Sequence, residues 1–340
     1  MLTRLARFSA QTRPIALLAA AALVAPTFWA VGSPAFPDQP ERTSTRAGQV
    51  DLRPRFTPGQ VTRYEMVSNS RSQLSSKEVP ELDQKQAMKQ TLRLSLKVIE
   101  AGSDGATIEL SYDAAKVTFE NGEFTAEYDS TRPPAASTPA KPADPLDMAD
   151  PSKLLETLVK GMVGSKLIFK TDAAGNITSV TGDGGVSDMS KGLMAAVGGG
   201  LAGAGGGGVS GKDAAKWIIN GPRPSGFASV GESWTNDDSL GGTPLGEFKM
   251  KTTHTLVSHR GHNASLKFTG RAEAASAGTP SPSGFQLRHM TSDGNYQWDT
   301  ERGGLEKMDA DMRVAIEATL TGVAMQHEST TTVSVKRLDR

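Results

Sequence analysis

The feature that most constrains the fold is a strict alternation of residue character near the end of the chain, over residues 308–320. The even positions are apolar or small: Met308, Ala310, Met312, Val314, Ile316, Ala318 and Leu320. The positions between them, apart from Ala315, are polar or charged: Asp309, Asp311, Arg313, Glu317 and Thr319. Because successive side chains of a β-strand point to opposite faces, this pattern predicts a strand with one buried and one solvated face. At roughly 3.3 Å per residue it would span about 40 Å, a length typical of large, bent antiparallel sheets.

The first residues have the character of a secretory signal peptide. A basic start is followed by an apolar run at residues 15–25 and by small residues that predict cleavage after Ala35, with Ala30 as the rival site. The alternative is an uncleaved membrane anchor, although the apolar stretch is at the short limit for a bilayer span. In both cases residues 1–35 direct the rest of the chain to the periplasm or cell envelope. Residues 36–49, which are polar and rich in Pro, Thr and Arg, are interpreted as a disordered tether.

Composition argues against a disulfide-stabilised domain and against a nucleic-acid-binding protein. The chain has 340 residues and no cysteine, so an exported domain of this kind must be stabilised by its core rather than by disulfides. Lys plus Arg and Asp plus Glu both number 37, and no basic stripe indicates a nucleic-acid partner.

The first half of the chain predicts a β-rich unit over residues 50–182. Alternating runs flank a turn at residues 102–105 and an Asn121-Gly122 hairpin turn, whose residues tolerate positive φ. Residues 131–145 are rich in proline and predict an exposed loop. A helix is predicted at residues 152–163, followed by a hairpin with strands at residues 166–171 and 177–181. The helix carries one apolar stripe, formed by Leu154, Leu155, Leu158, Val159 and Met162.

The second half predicts another β-rich unit, over residues 212–340. A glycine-rich linker at residues 183–211 precedes it, and residues 212–219 are a candidate short helix. Hairpin turns are predicted at Arg260-Gly261, Asp293-Gly294 and Gly303-Gly304. A second Pro/Ser/Gly insertion occupies residues 276–284, and the chain closes with a Thr-rich strand at residues 329–338.

The two β-rich units resemble each other weakly. The segment at residues 56–60 with Tyr64 parallels the segment at residues 227–232 with Trp234, and each precedes a pair of strands joined by a turn. This pattern indicates an internal duplication with a helical middle. The alternative is that two unrelated sets of strands share Gly and aromatic residues by chance.

No motif predicts catalysis strongly. Residues 206–212 nearly fit a phosphate-binding loop, but Asp213 stands where a hydroxyl should reach magnesium, so a flexible glycine linker is the better interpretation. His254, His259 and His262 cluster without a recognised metal-ligand spacing. Carboxylate pairs such as Asp309 with Asp311 fall on solvated strand faces. The sequence therefore predicts no catalytic residue, metal ligand, nucleotide or other cofactor, and leaves open an enzyme with acids and histidines assembled from distant segments.

Three segments carry a resemblance to a known family: residues 50–60 (VDLRPRFTPGQ), residues 230–234 (VGESW) and residues 329–338 (STTTVSVKRL). Over roughly residues 50–338 the chain resembles the exported, planctomycete-type family grouped as domain of unknown function 6263. That family has no assigned activity or site residues, so the resemblance implies export and a β-rich fold and nothing about catalysis. The glycine tract and the two Pro-rich insertions depart from the family.

These observations predict a mainly β protein with long, curved, half-barrel-like antiparallel sheets in two related units, and one to three helices packed against them. The predicted function is a non-catalytic envelope protein that binds an apolar or amphiphilic, lipid-like ligand, or a partner protein, on the curved sheet. The predicted ligand lining is the helical stripe of Leu154, Leu155, Leu158, Val159 and Met162. The alternatives are a structural or assembly protein of the envelope and, with less support, an enzyme. Contact with a membrane is expected only through an uncleaved N-terminal segment.

Overall fold

The computed structural model describes residues 48–80, 83–122, 124–132, 151–182, 218–220, 226–243, 246–274, 285–320 and 323–339. The predicted signal peptide, nearly all of the tether, the glycine-rich linker and the insertion at residues 276–284 lie outside these ranges. The same is true of most of the Pro-rich loop and of most of the candidate helix at residues 212–219, of which only residues 218 and 219 are described; residues 218–220 are helical. The described elements are β1 (Gln49–Asp51), β2 (Val61–Ser75), β3 (Gln84–Gly102), β4 (Gly105–Asn121), β5 (Phe124–Asp129), α1 (Pro151–Met162), β6 (Lys166–Thr171), β7 (Ile177–Thr181), β8 (Phe227–Ser229), β9 (Ser233–Thr243), β10 (Gly246–Arg260), β11 (Asn263–Ala274), β12 (Phe285–Asp299), β13 (Gly304–Leu320) and β14 (Val323–Arg337).

Most strands belong to one curved antiparallel sheet of 12 strands. Its order is β7-β6-β4-β3-β2-β14-β13-β12-β11-β10-β9, with β5 paired to the far end of β4. Apart from β1 and β8, which pair with each other in a separate two-stranded ribbon, the strands of both predicted units form a single sheet, because β2 pairs with β14 from Tyr64 to Ser75. The prediction of a mainly β fold with long, curved antiparallel strands is confirmed, and the sheet is open rather than closed on itself.

Local patterns located most turns correctly. The predicted turns at residues 102–105, 121–122, 260–261 and 303–304 join β3 to β4, β4 to β5, β10 to β11 and β12 to β13. Helix α1 begins and ends one residue earlier than predicted, and β6 and β7 have the predicted bounds. Among the described residues, no helix is long and apolar enough to cross a membrane.

The predicted hairpin turn at Asp293-Gly294 is wrong, since β12 runs through it from Phe285 to Asp299. Gly294 serves close packing instead of a turn. A Cβ placed on it would lie 2.7 Å from Cε1 of Phe268 and still closer to the carbonyl oxygen of Asp309. Only glycine leaves room for both neighbours there. The closing strand also begins earlier than predicted, because β14 forms a hairpin with β13 in which Leu320 pairs with Val323.

The sheet is buried on one face, called the inner face, as the alternation in β13 predicts. Side chains from Met308 to Ala318 at even positions are all buried, whereas Asp311 and Arg313 are exposed on the outer face. Cross-strand pairing joins inward residues into rows. The core row comprises Leu256, Leu266, Tyr296, Met308, Val335, Met66, Leu92 and Ala115.

The core row lies within one hydrophobic cluster to which the small elements contribute. The β1–β8 ribbon adds Val50, Leu52 and Ala228, and α1 adds Val159 and Met162. Burial of these apolar side chains, at about 25 cal/mol per Å² of area removed from water, is the main stabilising contribution in a chain without disulfides.

The chain enters β2 and β9 through turns of the same geometry. Gly59 and Gly231 have φ of 82° and 88°. The Gly59 amide donates to the carbonyl of Val98 at 2.9 Å, and the Gly231 amide donates to the carbonyl of Leu256 at 2.7 Å. A register shift follows each acceptor, between Val98 and Glu100 in β3 and between Leu256 and Ser258 in β10.

Candidate ligand-binding site

On the inner face, the rows of side chains become less uniformly apolar with increasing distance from the core row. Next to the core row lies a row in which the aromatic side chains of His254 and Phe268 are followed by smaller residues, among them Gly294 and Ser68. The following row, called the hydroxyl row, comprises Thr252, Gly270, Ser292, Met312, Thr331, Ser70, Met88 and Phe119. The row beyond it comprises Met250, Ala272, Met290, Val314, Ser329, Ser72, Gln86 and Asn121. The inner face is therefore apolar in the core row, whereas the hydroxyl row and the row beyond it mix hydroxyl and methionine side chains.

Five of these side chains lie together on β10, β12 and β13 and are called the Met–hydroxyl patch: Met250, Thr252, Met290, Ser292 and Met312. Met250, Thr252 and Met290 are 0 % exposed. The patch closes over Gly270 of β11, where a Cβ would lie 2.7 Å from Cε of Met250, 3.2 Å from Oγ1 of Thr252 and closer still to Oγ of Ser292. Glycine at this position lets side chains of two flanking strands meet above the middle one.

Two hydroxyls of the patch differ in their hydrogen bonding from others in the same row. Neither Oγ1 of Thr252 nor Oγ of Ser292 has one among the described residues, although both are buried. In the same row, by contrast, the hydroxyl of Thr331 donates to that of Ser70 at 3.1 Å. A buried hydroxyl without a partner costs about 1–3 kcal/mol, so proteins rarely keep one that neither water nor a ligand reaches.

The methionines give the patch adaptable apolar walls. Met250, Met290 and Met312 are buried but lie outside the core cluster. A thioether side chain is flexible and polarisable, and it adjusts its shape to a neighbour more readily than branched residues do. The arrangement thus offers hydrogen bonds from two hydroxyls within an apolar surrounding.

His254 lies one row away, in an aromatic cluster. Its ring stacks on Trp234 with the centroids 5.8 Å apart, and its Nδ1 is 3.3 Å from the hydroxyl of Tyr296. Burial lowers the pKa of His254 to about 4, so its ring is neutral at pH 7. His259 and His262, which lie near it in the sequence, are exposed beside the β10–β11 turn. There Nδ1 of His262 lies 3.4 Å from Oε2 of Glu301. The described residues contain no group of three or more His, Asp or Glu side chains that could hold a metal ion.

The depressed pKa of His254 makes stability depend on pH. Its folded pKa of about 4 lies below the ordinary histidine value of 6.5, so between these values the unfolded chain binds a proton that the folded chain excludes. The stabilisation is complete above about pH 6.5 and is lost as the pH falls toward 4. We expect urea titrations across this range to show a smaller loss of stability for His254→Gln than for the wild type. The remaining slope includes His327, whose pKa burial also lowers. The exposed His259→Gln variant should retain the wild-type slope, and equal slopes for all three proteins would contradict the assignment.

The outer face carries an open, polar trough of about 490 Å³. It extends from β11 to β2, and its polar lining consists of Asn69, Lys267, Thr269, Asp293, Asn295, Asp309, Asp311, Thr332 and Ser334. Burial raises the pKa of Asp309, but hydrogen bonds from Lys307 and Ser334 outweigh it and leave the pKa below its ordinary value. Asp293 and Asp311 pair directly across the strands, an arrangement of like charges that weakens a sheet.

The predicted ligand lining lies at a different place from the patch. Helix α1 packs on β4 and β5, where Val159 and Met162 are buried in the core and Leu155 is partly buried against it. The side chains of Leu154 and Leu158 lie outside the described residues. The Met–hydroxyl patch was missed in the sequence because its members come from three strands. The available signal was the Met-x-Thr and Met-x-Ser spacing at residues 250–252 and 290–292, which places both residue types on the buried face.

Comparisons with known proteins identify no family. No family model and no curated protein matches the chain. Among solved structures, lipovitellin, studied for its lipid–protein interactions, is 11 % identical over 82 % of this chain and 25 % of its own length, with a TM-score of 0.43. DynF from the dynemicin biosynthesis pathway of Micromonospora chersina is 6 % identical over 90 % of this chain and 92 % of its own, with a TM-score of 0.18. OpdQ from Pseudomonas aeruginosa is 5 % identical over 82 % of this chain and 100 % of its own, with a TM-score of 0.21.

The chain spans about a quarter of the lipovitellin chain. All three TM-scores are too low to support an argument about function. The class that the fold itself defines is a mainly β protein with a large, open, curved sheet that is buried on one face.

Proposed function

We propose that the protein is an exported, non-catalytic binding protein of the cell envelope that holds an amphiphilic ligand against the Met–hydroxyl patch. The observation that carries the proposal is the pair of buried hydroxyls, on Thr252 and Ser292, that have no partner among the described residues. Because Met250, Thr252 and Met290 are 0 % exposed, the ligand would displace the groups that cover them. A polar head group would then accept or donate a hydrogen bond at each hydroxyl, and the apolar portion would lie against the three methionines. Export rests on the sequence of residues 1–35.

The chemistry of the inner face favours binding over catalysis. Neither Thr252 nor Ser292 has an ionisable residue as its register partner on a neighbouring strand. In the row beyond, Asp238 of β9 is the register partner of Met250. On the inner face of β10 the nearest ionisable side chain is His254, whose low pKa suits it poorly to take up a proton near neutral pH. Nucleophilic catalysis by serine or threonine requires an adjacent base.

The substitution Thr252→Val separates stability from binding, because valine has the shape of threonine without its hydroxyl. In the unliganded protein we expect a higher melting temperature, since removal of an unpartnered buried hydroxyl relieves about 1–3 kcal/mol. Binding of a long-chain fatty acid, expected at micromolar levels, should weaken by about tenfold because a ligand hydrogen bond is lost. Thermal unfolding and isothermal titration calorimetry measure the two effects.

The matched control is Thr269→Val on the outer face, where the side chain is exposed. It should change neither binding nor the melting temperature by a comparable amount. A lower melting temperature for Thr252→Val would show that its hydroxyl is already satisfied in the unliganded protein. Failure of fatty acids and of hydrophobic dyes to bind the wild type would exclude the amphiphile proposal.

The proposal includes the origin of the sheet from two copies of one β unit. The matching turns at Gly59 and Gly231 and the matching register shifts in β3 and β10 support this duplication. So does a charge pair at equivalent positions. Glu65 forms an ion pair with Arg93 of β3 at 3.5 Å. Asp237, equally far from its turn along the chain, is paired in register with Lys251 of β10.

A further inference from the structure

The two strands that follow the matching turns, β2 and β9, differ in how many neighbouring strands they have. β2 is paired on both sides, with β3 on one and with β14 on the other. β9 is paired with β10, and within the described part of the chain no strand lies along its other side. The main-chain N–H and C=O groups on that side of β9 form an open edge of the kind that accepts an additional strand.

The neighbours of β2 indicate what such a strand would carry. Glu65 lies between two cations, Arg93 of β3 and Lys336 of β14, which is its register partner. Asp237 has the equivalent of the first cation in Lys251. The position equivalent to Lys336 is not occupied by any described residue. Asp237 is exposed, so a basic side chain on an added strand could reach it.

The aromatic side chain at this edge is also incompletely covered. Trp234 of β9 is half-buried, and its indole Nε1 has no hydrogen-bond partner among the described residues. An added strand would cover the ring and supply carbonyl groups near it.

We propose that the open edge of β9 binds an extended segment of a partner protein, antiparallel to β9, with a lysine or arginine opposite Asp237. The inference rests on the duplication proposed above and is independent of the amphiphile proposal. A second copy of this chain fits less well. Antiparallel pairing of two β9 strands about their middle would set Asp238 opposite Asp238, and like charges directly opposite each other destabilise a sheet.

The chain itself supplies a defined probe for this edge. A synthetic peptide of residues 328–338 has the sequence of β14, which occupies the equivalent edge of β2. We expect it to bind the full-length exported protein with a micromolar dissociation constant and to protect the amides of residues 235–243 from hydrogen exchange, because the register that sets Lys336 opposite Asp237 sets Leu338 opposite Thr235. A peptide with Thr332→Pro should not bind, because proline removes a main-chain donor.

A charge exchange tests the specificity of the site. The Asp237→Lys protein should bind the natural peptide at least about tenfold more weakly, and a Lys336→Glu peptide should recover most of the loss. Thr252→Val should leave peptide binding unchanged, which separates this inference from the amphiphile proposal.

Four results would overturn the inference. The first is tight peptide binding that Asp237→Lys leaves unaltered. The second is protection of β5 or β7, or loss of protection in β14, in place of protection in β9. The third is a concentration-dependent dimer without peptide whose amides at residues 235–243 are protected, which would make a second copy the occupant. Absence of peptide binding to a folded wild-type protein would also contradict it.

Discussion

The Ile316→Asp variant is expected to lose several kcal/mol of unfolding free energy, enough to leave much of the protein unfolded. Ile316 is 5 % exposed on the inner face of β13, where its cross-strand neighbour in β14 is the buried His327. A carboxylate there would be removed from water beside an imidazole whose pKa burial lowers, so it would face no charged partner or would have to take up a proton, and both are costly. Urea unfolding followed by circular dichroism measures the effect.

The adjacent position provides the control. Glu317 lies on the outer face and pairs there with Arg288 and with the side-chain amide of Gln326. An exposed ion pair contributes little, so Glu317→Lys should change the unfolding free energy by less than about 1 kcal/mol. Equal sensitivity at the two positions would contradict the division of β13 into an inner and an outer face.

Gly294→Ala is expected to be the second most damaging substitution. The added methyl group would overlap the carbonyl oxygen of Asp309 and would lie 2.8 Å from Cζ of Phe268. Because the nearest atom belongs to the backbone of β13, rotation of a side chain cannot relieve the overlap, and β12 would have to separate from β13. We expect a loss of several kcal/mol in unfolding free energy, beyond the 1–3 kcal/mol that is typical of overpacking.

Gly102→Ala is the matched control, since a Cβ at Gly102 meets no atom within 4 Å. Its unfolding free energy should remain close to that of the wild type. If Gly294→Ala were as stable as Gly102→Ala, Gly294 would not be held closely between Phe268 and β13, and the hairpin interpretation of Asp293-Gly294 would have to be reconsidered.

Predictions from sequence succeeded where the physical cause is local. The alternation in β13 reports side-chain direction within one strand, so it identified both the strand and its buried face. The Asn121-Gly122 turn and the start of α1, predicted at residue 152 and found at Pro151, depend on the backbone preferences of a few adjacent residues. Of the predicted ligand lining, Val159 and Met162 pack in the core, as an apolar helical stripe requires.

The error at Asp293-Gly294 has a non-local cause. A glycine after an aspartate is typical of a tight turn, but here the absent side chain accommodates Phe268, which is distant in sequence and adjacent in the sheet. The same limitation applies to the histidines. Their proximity in sequence suggested a cluster, whereas the strand and its turn place His254 inside and His259 outside.

The sequence by itself determined which segments become strands, which face of each strand is buried and where most hairpins turn, because these properties depend on neighbours along the chain. Only the tertiary structure decided the order of the strands and their register. Pairing of β2 with β14 joins segments from nearly opposite ends of the chain, and pairing of β10, β11 and β12 brings Thr252, Gly270 and Ser292 into one row. Each pairing depends on the total burial gained across the whole sheet, so no single segment of sequence specifies the patch or the open edge of β9.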